Sequence, residues 1–171
     1  VFVHDTESGE TSQLTDGMAD AIDPVWDEDG RHLYFLASTD YGLNTGWLDM
    51  SSYDRPTSYA MYVTLLAEGT PSPFMPKSDE EPEGDDDEAG DADDEAGDDA
   101  VVIDLDGIER RIVGAPGLGT ENYTGLVPGP EGHVFVTESV PGEGTVLHRY
   151  ELDDAEATEF ASGINGAWAS A

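Results

Sequence analysis

The chain has 171 residues and no cysteine, which excludes a disulfide framework and thiolate metal ligation. Acidic residues outnumber basic ones 39 to 6, so the surface lacks the Lys and Arg that neutralise phosphates, and nucleic acid is excluded as a partner. No window approaches the roughly 18 apolar residues of a membrane span, and the residues from Val1 to Asp5 carry no secretory leader pattern.

Taken in chain order, short β-branched or aromatic runs predict strands over 1–4, 12–14, 24–26, 32–37, 59–66, 101–104, 110–113, 123–127, 133–138, 146–151, 158–161 and 167–169. Gly, Pro, Asp and Asn punctuate them, and helical periodicity is scarce. The first strand begins at Val1 itself, which predicts that the chain continues a longer one. The expected class is all-β.

A repeat refines this. Residues 1–17 (VFVHDTESGETSQLTDG) match 147–163 (LHRYELDDAEATEFASG): a strand, an acidic turn, a second strand ending on Leu14 or Phe160, then Gly17 or Gly163. The match extends further along the chain. Asp23 to Gly30, then His32, parallels Leu126 to Gly132, then His133, and a third copy opens at Ala167 and Trp168. The unit is four antiparallel strands with Asp-Gly or Glu-Gly hairpins, where Gly tolerates positive φ. Such sheets bury their faces only against one another, which predicts a partial β-propeller of four-stranded blades. The expected division is 1–17 as the last strands of one blade, 18–113 as an embellished blade, 114–163 as the next, and 164–171 as the start of a further one.

Two insertions interrupt the repeat. Residues 39–56 (TDYGLNTGWLDMSSYDRP) make a long connection where a hairpin would suffice. Residues 78–100 hold no aromatic or β-branched residue, and this acidic tract is expected to be disordered. The tract does not explain the charge alone. Without the 14 carboxylates of 79–99, 25 acidic residues still face 6 basic ones over the other 150 positions. Such self-repulsion needs screening, and at molar salt the Debye length falls to ~3 Å. The expectation is a cytoplasmic, halophilic protein of an organism with high internal salt.

The stretch DPVWDEDGRHLYFLASTD at 23–40, followed by GWLDMSSYDRP at 46–56, resembles the second propeller of tricorn-type proteases. The segments PSPF at 71–74, IDLDGI at 103–108 and NYTGL at 122–126 come in the family's order. The resemblance spans essentially the whole chain apart from the acidic tract. It implies a large cytosolic serine peptidase with two propellers, a PDZ-like domain and a split catalytic domain, assembled as a hexamer. The catalytic residues of that family lie in a part with no counterpart in this sequence, so none is assigned. The implied role is to sieve or guide peptide substrates, with the rest of the propeller and the catalytic domains of the parent as partners. The alternative is a protein-interaction propeller with no peptidase attached.

Few residues carry chemistry of their own. His32 and His133 sit at equivalent repeat positions and His4 and His148 on outer strands, which reads as structure. Asp27-Glu28-Asp29-Gly30 and Asp104-Leu105-Asp106-Gly107 lack the alternating ligands and closing Glu of a calcium loop and read as hairpin turns. Residues 114–119 are Gly-rich without a helix after them, so no phosphate site is expected. Ser51 and Ser52 have no histidine near them in sequence. No cofactor or metal is expected. One cluster keeps a binding reading: Trp47, Met50, Tyr53, Asp54 and Arg55, on a long loop, are the substrate-contact candidates. Arg55 there could pair with a substrate carboxylate, or with Asp49 or Asp54.

Overall fold

The computed structural model describes residues 1–38, 57–75 and 101–167. The strands β1 (Phe2–His4) and β2 (Thr11–Gln13) form a hairpin. The strands β3 (Asp20–Trp26), β4 (His32–Ser38), β5 (Ala60–Leu65) and β6 (Ile112–Gly114) form a four-stranded sheet in that order. The strands β7 (Tyr123–Pro128), β8 (His133–Val140), β9 (Gly144–Glu151) and β10 (Glu156–Ile164) form a second. Every pairing is antiparallel and joins neighbours in sequence. These are meander blades, and the all-β partial propeller is the observed fold.

Strand alternation explains how the blades stack. On β4, Tyr34 and Leu36 point to one side and meet Met61 and Val63 of β5, Val134 and Val136 of β8, and Tyr150 of β9. Leu33 points to the other side and joins Leu14, Leu66 and Ile108 under Val1 and Val3 of the first hairpin. All seven residues of β4 are therefore buried, as expected for a sheet covered on both faces. Each large apolar side chain removed from water here contributes about 2 kcal/mol.

Two predicted strands take other forms. Residues 101–105 run without ladder pairing; Asp104 N–H donates to the Leu66 carbonyl, and Ile103 packs on the second core. Residues 108–111 form a 3-10 turn (Ile108–Arg111) after Gly107, whose φ of 66° redirects the chain. The Arg111 guanidinium donates to the carbonyls of Leu65, Leu66, Asp104 and Asp106 and ties this turn to the end of β5. In the other direction, β3 starts four residues earlier than predicted, at Asp20, and carries Pro24. A proline fits because β3 is an edge strand with a bulge between Ile22 and Val25.

Candidate functional site

The candidate residues Trp47, Met50, Tyr53, Asp54 and Arg55 lie in 39–56, outside the described residues, as does the acidic tract. Two other places in the fold bring polar groups together.

The first is the turn between β3 and β4. Asp27 closes it through its own N–H to the His32 carbonyl at 3.0 Å, and Gly30 supplies the φ of 67°. Asp27 is 4% exposed, and its carboxylate accepts from three donors. Tyr34 O–H donates to Oδ1 at 2.8 Å, Asp29 N–H to Oδ2 at 3.2 Å, and Gly132 N–H, from the other blade, to both oxygens at 3.1 and 3.2 Å. Beside it, Glu28 Oε2 accepts Glu131 N–H at 3.1 Å. One blade's turn thus holds the next blade's turn through carboxylates. Burial and then the adjacent Asp27 charge push the Tyr34 hydroxyl far above the ordinary phenol range, so it stays a donor.

His32 Nδ1 lies 2.7 Å from Asp29 Oδ2. Burial works against the Asp29 charge, but the Arg31 N–H bond and the neighbouring imidazole outweigh it and hold the carboxyl below its usual range. Asp27, Asp29 and His32 each bring a ligand atom within 4.8 Å of the others, a spacing a cation could use. The Asp27 oxygens, however, already face three N–H and O–H donors, whose hydrogens oppose a cation. The cluster is best described as a hydrogen-bonded knot. The sequence showed the turn but not its partner, because Gly132 is 105 residues away.

The second place is the line where the first strands of the two blades meet. Asp23 to Val25 of β3, Thr124 to Val127 of β7, and residues 165–167 after β10 border a groove of about 570 Å³. Both strands are sheet edges here. Asp23 has a φ of 49°, unusual for a residue with a side chain and more so before a proline. Its exposed carboxylate points at β7: a Cβ on Gly125 would lie 3.0 Å from Asp23 Oδ2. A bulge after Tyr123 breaks the β7–β8 register, and the Thr137 hydroxyl repairs it by donating to the Gly125 carbonyl at 3.1 Å. The Thr124 hydroxyl donates in turn to Thr137 Oγ1 at 2.9 Å.

Elsewhere, burial and then Glu138 and Glu121 push the Tyr123 hydroxyl up to about 12, and its ring meets His148 edge-on at 6.5 Å. His148 Nε2 lies 2.7 Å from Glu138 Oε2. His133 Nδ1 lies 2.8 Å from its neighbour's carbonyl, that of Glu131. His4 Nδ1 lies 2.9 Å from Thr11 Oγ1 across the first hairpin. All four histidines are therefore engaged within the fold.

Stacked meander blades with their first strands side by side define the class: this is a stretch of a β-propeller. More particularly, the chain is similar to tricorn proteases. The chain is 26% identical to tricorn protease homolog 2 of Streptomyces coelicolor, over 89% of this chain and 14% of that protein. The crystal structure of the tricorn protease shares the fold with a TM-score of 0.59 at 19% identity, over 94% of this chain and 15% of that one. No family model matches the chain. The chain thus spans a small fraction of the length of each protein it matches.

Proposed function

We propose that this chain is a non-catalytic part of the second propeller of a tricorn-like cytosolic serine peptidase, sieving or guiding peptides towards a catalytic domain elsewhere in the parent. The observation that carries the reading is the side-by-side placement of β3 and β7, each with an edge unpaired among the described residues, as successive staves of a lumen wall would stand. The mechanism is steric: an extended peptide passes a narrow lumen that a folded protein cannot enter.

The blade division belongs to the same reading. Residues 1–17 close a preceding blade, 18–113 and 114–163 form two blades, and 164–171 open another. In support, β1–β2 lead into β3 much as β9–β10 lead into the groove-lining residues 165–167. The insertion 39–56 joins β4 to β5, and Trp47, Met50, Tyr53, Asp54 and Arg55 are proposed to touch substrate there. Assembly as a homo-oligomer and a high-salt cytoplasm belong to the same proposal, the latter supported by the 39 carboxylates.

The test is peptidase activity of the intact protein, purified at molar salt. A short fluorogenic peptide should be cut, a folded protein spared, and a serine-reactive inhibitor should end the cleavage. No peptidase activity in the intact protein would overturn the reading and leave an interaction scaffold as the better account.

A further inference from the structure

We propose that the groove between β3 and β7 binds an extended peptide, whose main chain pairs with the open edge of β7 and whose cationic group sits at Asp23. This rests on the lumen reading and adds to it a recognition element.

Edge geometry comes first. Among the described residues, strand β7 pairs only with β8, so its other edge offers main-chain N–H and C=O groups along the groove. An unpaired edge is a template for an added strand, and strand addition is a general mode of peptide capture. The stretch 124–127 lines the groove, about 13 Å of strand, room for roughly four peptide residues.

Second, Asp23 holds its positive φ within the bulge between Ile22 and Val25. Holding a non-glycine residue at positive φ costs on the order of 1–3 kcal/mol, and such strain gathers at ligand clamps. Among the described residues Asp23 has no hydrogen-bond or ion-pair partner, although its neighbours Thr124 and Thr137 are engaged. What the conformation achieves is to present the carboxylate beside Gly125, where the missing side chain leaves it room.

Third, the charge has one sign. Among the described residues, Asp23 is the only ionisable one lining the groove. A peptide bearing a positive charge next to its pairing segment therefore matches the site, and the charge can be a free amino terminus or a Lys or Arg side chain. The Asn165 amide at the rim adds a neutral donor and acceptor.

The experiment uses the intact protein, silenced with a serine-reactive inhibitor, and fluorescence anisotropy of C-terminally labelled hexapeptides at fixed salt. Four peptides separate the contributions: one with a free amino terminus, one acetylated with an internal Lys, one acetylated and neutral, and one N-methylated at alternate residues. The cationic peptides should bind more tightly than the neutral one, and which of them does so identifies the source of the charge. Asp23→Asn, which tolerates the same backbone conformation, should weaken the tighter one about two- to fivefold and erase the preference. Asp23→Gly relieves the strain, keeps the fold secure, and should give the same loss. N-methylation should abolish binding. Equal binding of the acetylated neutral peptide, or no effect of either Asp23 variant, overturns the assignment of Asp23. Undiminished binding of the N-methylated peptide overturns edge pairing. Discrimination between short peptides and folded proteins, read on uninhibited protein, reports on the sieve separately.

Discussion

Asp27 and Gly132, one in each blade, are joined by hydrogen bonds from a single main-chain N–H to both carboxylate oxygens, at 3.1 and 3.2 Å. The carboxylate is buried, so losing it leaves the Tyr34 hydroxyl and two amides without an acceptor. Asp27→Ala should cost about 2–4 kcal/mol, and Tyr34→Phe about 1 kcal/mol. Hydrogen exchange over 129–133 should accelerate in Asp27→Ala before the blades themselves open. Unchanged protection of the Gly132 amide would show that the two turns are held together by packing alone.

Gly117 offers a separate steric test, of the loop before β7 packed on the β9–β10 turn. Its φ is 77°, and a Cβ there would sit 2.3 Å from the Ala155 carbonyl oxygen. Gly9 has a similar φ of 74° but nothing within 4 Å. Gly9→Ala should cost only the backbone penalty, about 1 kcal/mol, and Gly117→Ala about 2–3 kcal/mol more as the main chain of 155–156 is displaced. Thermal midpoints of the two variants, measured side by side, check the order.

Acid should loosen the β3–β4 turn. The Asp29 carboxyl is held below its usual range in the folded state, so its stabilising contribution is complete above the unfolded value near 3.9. It is lost as pH falls through the lower, folded value. Asp29→Asn should therefore flatten the stability profile below about pH 4. Unfolding midpoints between pH 6 and 3 at constant salt give the comparison, and parallel profiles for the two proteins would refute it.

The blades were legible because their strands announce themselves locally. The predicted strands 32–37 and 146–151 are apolar and aromatic runs that each follow a Gly turn, and the repeat of these units reveals the architecture. Residues 101–104 misled for the same reason: Val101, Val102 and Ile103 have strand composition, yet among the described residues they pair with no strand, and Ile103 serves the second core. Pro24 hid the first half of β3, since a proline counts against a strand unless the strand is an edge. The groove and the knot escaped notice because each is assembled across blades. Asp23 is unremarkable in sequence until its φ and its approach to Gly125 are seen.

The outer face of the second blade makes its own prediction. Phe160 is 61% exposed and touches Phe135 edge-on at 5.2 Å. With only that contact, Phe160→Ala should cost about 1 kcal/mol. A further blade covering this face in the intact protein would raise the cost to about 3 kcal/mol or more. The proposed propeller requires the larger value, and unfolding of the intact protein under denaturant measures it.

The most direct test of the sieve is the ratio of cleavage rates for a short unfolded peptide and a folded protein, before and after deletion of the two proposed blades, 18–163. The account predicts that the deleted protein still cuts the peptide and now also cuts the folded protein. Thr124→Trp, a companion that keeps both blades and adds bulk at the groove wall at the cost of the Thr124–Thr137 hydrogen bond, should slow long peptides more than short ones. If deletion leaves the discrimination intact, the segment does not sieve and the central claim fails.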